Sequence, residues 1–278
     1  MNRSSSLDWA DARREAFRKL HTSGCFILPN PWDLGTARLL EHVGFRAIAT
    51  TSAGFAWTLG RLDNRVTLDE ALAHLRSVAD AVKIPVNADF EGGFAIEPAD
   101  VAKNVTAAVE TGIAGLSIED STGNPADPLF DFALSVERVA AARQAIDESR
   151  TGVILTARSE GFVAGRPELY DTIRRLTAYA EAGADCLYAP GIHETQQIVA
   201  IVGAVAPKPV NVLVASDFTT VAELAQLGVR RISVGGALAR VAWGAVYRAA
   251  REVLDSGTFT AFGEALPPGE ILRILKPE

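Results

Sequence analysis

The chain has 278 residues, 48% of them hydrophobic, and its 27 Lys and Arg against 34 Asp and Glu give a formal charge of −7. The length allows one large domain or two small ones, and the acidic balance argues against a nucleic-acid binder, which normally shows a basic face. No run of 18 apolar residues occurs, so no membrane span is expected.

Residues 1–6 lead into a charged helical pattern without an apolar signal core. Cys25 and Cys186 are the two cysteines and sit in no metal-type spacing. A reducing, cytoplasmic home without disulfides is therefore expected. A helix over 7–20, with Trp9, Phe17 and Leu20 on one face, precedes eight short β-rich runs: 26–30, 47–52, 86–90, 116–120, 153–158, 186–190, 210–214 and 231–236. They read as apolar throughout, as strands buried on both faces do. Helical patterns separate them. The stretch 67–82 carries a 3.6-residue stripe from Leu68 to Ala79, Pro98 opens another helix in its first turn, and Gly112, Gly183 and Gly228 each join a helix to the next strand. Eight βα units in about 250 residues predict a single closed (β/α)8 TIM barrel spanning 1–278. An open doubly wound sheet would carry a Gly-rich turn after its first strand, and PNPWD stands there instead. The tail 257–278 is more apolar than a lone monomer needs and points to packing on a neighbouring subunit.

Barrel enzymes build their sites at the C-terminal ends of strands. Asp89, Glu91 and Glu119 lie at two adjacent ends, where like charges repel unless a proton or cation intervenes. Such acids suit Mg²⁺ or Mn²⁺ better than Zn²⁺; the alternative is that they cap the following helices. Arg158 is the one cation of the set, either clamping a substrate carboxylate or oxyanion, or simply ion-paired with Glu119 or Asp89. Ser52, Ala53 and Gly54 could present N–H groups to an anion. Gly235 and Gly236 could grip a phosphate or serve close packing. His193 is a candidate proton shuttle, while His21, His42 and His74 are expected at the surface. Both cysteines read as core residues rather than nucleophiles. No Ser-His-Asp spacing, P-loop or HExxH motif occurs.

The ordered set TTSAG (50–54), GRLDN with Asp63, NADFEGGF (87–94), SIED (117–120) and TARSEGFVAG (156–165) resembles the isocitrate lyase/phosphoenolpyruvate mutase superfamily over about residues 30–236. The resemblance implies a (β/α)8 barrel, often with the last helix exchanged between subunits, in dimers or homotetramers. It also implies Mg²⁺ and an α-keto or α-hydroxy carboxylate that passes through an enolate-like oxyanion. By position, Asp89 matches the direct metal ligand, and Asp63, Glu91 and Glu119 match acids that hold the ion largely through water. Ser52, Ala53 and Gly54 match the turn gripping the substrate carboxylate, Arg158 matches the arginine on the same acid, and Asn211 resembles a substrate-contacting Asn. The K-[KR]-C-G-H loop of the lyases is replaced by STGNPADPLF (121–130), without Cys, Lys or His; a strand-six Glu or His is replaced by Pro190.

These residues imply a Mg²⁺-dependent lyase for a small 2-oxo or 2-hydroxy carboxylate, with Arg158 and Glu119 at the chemistry. Residues 123–131 read as a mobile gate, and water, Tyr188 or His193 would be the proton donor. Two other readings remain: a phosphonopyruvate or phosphoenolpyruvate P–C mutase or hydrolase, and a keto-acid-binding relative without catalysis.

Overall fold

The computed structural model describes residues 3–276, with side chains from Trp9 onward. The ends of the expected 1–278 domain, residues 1–2 and 277–278, and the side chain of Leu7 lie outside the described residues. The strands are β1 (Phe26–Leu28), β2 (Ile48–Ala49), β3 (Val86–Asp89), β4 (Gly115–Glu119), β5 (Ile154–Arg158), β6 (Cys186–Tyr188), β7 (Val210–Leu213) and β8 (Arg231–Ser233). The helices are α1 (Arg3–Leu20), α2 (Leu34–Val43), α3 (Ser52–Thr58), α4 (Leu68–Ala81), α5 (Pro98–Val109) and α6 (Phe132–Ser149), then α7 (Leu169–Glu181), α8 (Thr195–Val205), α9 (Val221–Gln226), α10 (Ala237–Ser256) and α11 (Pro268–Leu275). All ladders are parallel, in the order β1-β8-β7-β6-β5-β4-β3-β2, the sheet of a nearly closed (β/α)8 barrel. The remaining seam is bridged by the Ala49 N–H, which donates to the Pro29 carbonyl at 3.0 Å. Asn30 ties the same corner together: its amide donates to Thr50 O at 2.9 Å and accepts from the Val234 and Gly235 N–H groups at 3.0 and 2.8 Å.

The strands are not apolar on both faces, a correction to the sequence reading. Ala88, Leu116, Ile118, Leu155, Ala157, Leu187, Val212 and Ile232 pack into the layer shared with the helices, against residues such as Leu75, Val105, Ile146 and Leu176. Strand side chains alternate, so the intervening positions face the lumen. Those positions hold Asn87, Asp89, Ser117, Glu119, Thr156, Arg158, Tyr188, Asn211, Arg231 and Ser233. The lumen is polar, and Arg231 is its buried cation: it donates to Asn211 Oδ1 at 2.9 Å, Thr156 Oγ1 at 3.0 Å and His21 Nε2 at 3.4 Å. Asp89, Glu119 and Arg158 are the last inward positions of three adjacent strands, which brings them to the open mouth.

The opposite end is closed by α1, whose Phe17 and Leu20 cluster with Phe26, Leu28, Ala47, Ala49, Ala114 and Ile154. Trp9 departs from the expected face and is 58% exposed. His21, expected at the surface, is buried below the lumen; its Nδ1–H donates to Phe17 O at 2.8 Å, and burial depresses its pKa to about 3. His74 is also buried, stacked on Phe55 at 3.8 Å, and burial lowers its pKa to about 4. Both are neutral, so neither carries the cost of burying a charge. His42 is at the surface as expected.

The run 47–52 supplies a two-residue strand only. Thr51 leaves the sheet and caps α3, accepting from the Gly54 N–H, so Ser52 begins a helix instead of ending a strand. Hydroxyl residues favour such caps. At the C-terminal end, Ala239 is the one buried residue of α10. Val241, Trp243, Val246, Tyr247 and Leu254 along that helix are each 59–75% exposed. The tail then turns back through α11 against α2, where Arg38 donates to Leu275 O at 3.2 Å.

Candidate active site

Arg158 organises the mouth of the barrel. Its Nη1 lies 2.7 Å from Asp89 Oδ1, its Nη2 3.1 Å from Glu119 Oε2 and its Nε 2.9 Å from Glu160 Oε1. The guanidinium carbon stands 5.1 Å from the Tyr188 ring centroid. Arg158 therefore does pair with both acids named as its structural partners, and with Glu160 as well. Asp89 is fixed from the other side, its second oxygen accepting the Ser52 N–H at 2.8 Å and its N–H donating to Thr50 Oγ1 at 2.9 Å. Asp63, on an exposed stretch, meets the Ser52 hydroxyl.

Five carboxylates, Asp63, Asp89, Glu91, Glu119 and Glu160, thus face one guanidinium. Burial, together with this charge excess, raises the proton affinities of Asp63, Glu91, Glu119 and Glu160. Burial first, then the charges of Asp89 and Asp63, push Glu91 up to about 8. Burial raises Glu119 and Glu160 despite Arg158. Glu91 adopts φ 46° and Phe94 φ 55°, left-handed conformations uncommon outside glycine, so the loop after β3 is held in a strained shape next to the cluster.

A cleft of about 510 Å3 opens onto Asp63, Glu91, Glu119, Arg65, Phe130 and Arg138, a volume that suits a small ligand. Its wall includes the foot of the 123–131 segment, which is pinned by a bridge between Ser121 and Leu129 and by the Phe130 N–H donating to Asp120 O at 2.9 Å. Gly54 is required where it stands: a Cβ there would lie 2.6 Å from Thr51 Cγ2 and 2.8 Å from Trp32 Cβ.

The structure does not bring every predicted residue together. Ser52, Asp63, Asp89, Glu91, Glu119, Arg158 and Tyr188 converge, and Ala53 and Gly54 follow Ser52 in the first turn of α3. Tyr188 is bonded to the Ser233 hydroxyl and held up to about 12 by burial, so its phenol keeps its proton. Asn211 lies within the lumen, donating to Ser233 Oγ at 2.9 Å, and reaches the cluster through Ser233 and Tyr188. His193 is exposed beyond β6, its Nδ1 3.1 Å from Gly191 O and its ring edge-on to Phe218. The Gly235 N–H is committed to Asn30, which favours the packing reading of the glycine pair.

Glu160 and Asp120 were not singled out from sequence. Asp120 is buried, takes the Glu160 N–H at 2.8 Å, the Tyr179 hydroxyl at 2.8 Å and Arg175 Nη1 at 3.2 Å, and so sets where Glu160 meets Arg158. Both stand in the SIED and TARSEG motifs, one or two residues past the last strand position, which was the available signal.

Among the described residues, no three His, Cys, Asp or Glu side chains converge tightly enough to form a metal-ligand set by themselves. The donor chemistry nevertheless fits a hard divalent ion. Mg²⁺ keeps several waters and needs one or two carboxylates, and this cluster holds more negative charge than Arg158 balances.

Residues 17–254 match the phosphoenolpyruvate phosphomutase family. A crystal structure from Burkholderia cenocepacia J2315, provisionally described as a lyase/mutase, superposes with a TM-score of 0.93 at 48% identity over 95% of this chain and 96% of that one. A protein of uncharacterised function from Mycobacterium tuberculosis strain H37Rv is 32% identical over 254 residues, 91% of each chain. Oxaloacetate decarboxylase 1 of Pseudomonas putida W619 is 28% identical over 233 residues, 81% of this chain and 78% of that one.

Proposed function

Since the chain belongs to the phosphoenolpyruvate mutase/isocitrate lyase superfamily, a superfamily of lyases and mutases, we propose that it is a divalent-metal-dependent lyase. Its substrate is a small 2-oxo or 2-hydroxy carboxylate, cleaved or decarboxylated at a C–C bond through an enolate-like oxyanion. The observation that carries this reading is the Arg158 guanidinium set among Asp89, Glu119 and Glu160 at the barrel mouth, where Glu119 also lines the small-ligand cleft. The absence of any Lys or Arg from 121–130 favours C–C over P–C chemistry, because a phosphonate brings extra negative charge. The relative acting on oxaloacetate supports the same substrate class.

Asp89 would hold the ion directly, with Asp63, Glu91 and Glu119 around its waters; Mg²⁺ is the natural occupant and Mn²⁺ a substitute. When bound, the ion supplies Lewis-acid polarisation of the substrate oxygens. The protein does the rest. The turn of Ser52, Ala53 and Gly54 would receive the carboxylate at the Ala53 N–H, the Ser52 and Gly54 N–H groups being held by Asp89 and Thr51, and Asn211 supports the far wall through Ser233. Arg158 stabilises the oxyanion in a site where its charge is already oriented, so the gain falls on the transition state. Glu119 holds that guanidinium in line. Tyr188, still protonated, would return a proton, with water as the other source; His193 is exposed beyond β6 and would serve only on closure of the site. The 123–131 segment closes the cleft against water.

The unpartnered apolar side chains of α10 support a homo-oligomer, a dimer or tetramer in which α10 packs on another copy. No helix among the described residues is long and apolar enough to cross a membrane, and a cytoplasmic enzyme without nucleic-acid or membrane partners fits.

The test is a screen of 2-oxo and 2-hydroxy mono- and diacids with Mg²⁺, Mn²⁺ or EDTA, read by mass spectrometry. Phosphonopyruvate is followed in parallel by phosphorus NMR. A metal-dependent C–C product that Asp89→Ala abolishes supports the proposal. A phosphorus signal change without one supports the P–C reading. Ligand-induced thermal stabilisation with no product from any acid supports a binding protein.

A further inference from the structure

Arg138 sits on α6, outside the cluster, with its side chain fully buried and no carboxylate among its hydrogen-bond partners. Its guanidinium is spent on the backbone instead. Nη1 donates to Ala95 O at 2.5 Å and to Ile96 O at 2.7 Å, and Nη2 donates to Gly92 O. All three carbonyls belong to the strained loop that carries Glu91 at one end. A buried cation that gives up hydration for three carbonyls of one short loop fixes that loop's shape more firmly than a neutral donor would, because charge-assisted bonds are the stronger kind. The other face of the guanidinium is covered by the Phe130 ring at 4.1 Å. Phe130 is the foot of the gate, and its carbonyl is held by Arg175 Nη1 at 3.1 Å and Ser135 Oγ at 3.3 Å. Both Arg138 and Phe130 border the cleft, yet Arg138 is fully buried, and the Phe130 ring is one of the groups that cover its guanidinium.

We propose that Arg138 is a positioning residue: it holds the Gly92 to Ile96 backbone so that Glu91 is aimed into the acidic cluster, and Phe130 keeps water from loosening that hold. The foot of the gate and the cation-binding acids are in this way mechanically joined through one side chain. The inference rests on the proposed metal-binding reading, and its test separates the two.

The test is a double-mutant cycle on the full chain, with Mn²⁺ as the probe and its dissociation constant measured by calorimetry and by electron paramagnetic resonance. Arg138→Lys keeps the charge but loses the fork that spans three carbonyls. It should weaken Mn²⁺ by about ten-fold, and Phe130→Ala should weaken it by about three-fold, although neither residue contacts the ion. In a Glu91→Gln background neither substitution should weaken Mn²⁺ further, because the residue they position has lost its charge. A general loss of packing would instead add to the Glu91→Gln effect. Additive effects, or wild-type Mn²⁺ affinity in Arg138→Lys, would overturn the inference. Should Arg138→Lys fail to fold, the Phe130→Ala arm of the cycle decides by the same criterion. A wild-type chain that does not bind Mn²⁺ would overturn the metal reading and, with it, this one.

Discussion

Replacing Arg158 with Met removes the cation but keeps much of the buried side-chain volume. At an effective dielectric of about 20, each of its three ion pairs carries roughly 4–5 kcal/mol of gross attraction, most of it offset by desolvation of the guanidinium and the acids. The measurable cost of deleting one partner from a buried set is about 3–5 kcal/mol, because charges are left uncompensated. That cost must depend on pH. Without Arg158, the folded-state pKa values of Glu119 and Glu160, already raised by burial, rise further. A carboxyl with a raised folded pKa gives stability that is fully present below its unfolded value and lost as pH rises through its folded value. The destabilisation by Arg158→Met should therefore be larger at pH 8 than at pH 5, where the freed acids take up protons. Urea unfolding of wild type and variant at both pH values, at one protein concentration and without divalent metal, gives the comparison. Equal destabilisation at the two pH values would refute the argument that Arg158 is the counter-charge of the cluster.

Three further outcomes follow from the geometry. Gly54→Ala puts a methyl against Thr51 and Trp32 and should cost about 1–3 kcal/mol in urea unfolding, with a larger loss of affinity for 2-oxo acids than for Mn²⁺; unchanged stability would contradict the close packing of α3. Glu91, with its pKa pushed up to about 8, contributes stability present below pH 4.5 and lost as pH rises through about 8, so Glu91→Gln should flatten the decline of metal-free stability across that window; parallel wild-type and variant curves would refute it. If α10 packs on another copy as proposed, Trp243→Glu and Val246→Glu should shift the sedimentation coefficient toward the monomer, and an unchanged value would contradict that proposal.

The barrel was legible because its punctuation is local: α2, α7 and α9 each have their C-cap at or one residue before a glycine, and the strands are short, buried runs. The polar lumen was not, because six-residue runs such as VILTAR hide alternate inward Thr and Arg among apolar neighbours. The mouth acids were legible because strand ends locate them, and the family motifs name them. Glu160 and Asp120 lie beyond the strands, where direction depends on turns that periodicity does not describe. Arg138 reads as an ordinary helix charge; only the fold shows that it is buried and bound to carbonyls 42–46 residues earlier. His74 shares the stripe of Ala71, Leu75 and Val78, so its burial could have been read from spacing.

The central claim is that excess negative charge at the barrel mouth holds a divalent cation beside Arg158. Crystals soaked in Mn²⁺ and measured at the manganese absorption edge test it most directly. The account predicts an anomalous peak bonded to the Asp89 carboxylate, with waters linking it to Asp63, Glu91 and Glu119, and no peak in Asp89→Ala. A featureless mouth, with Asp89 still paired to Arg158 at saturating Mn²⁺, would contradict it.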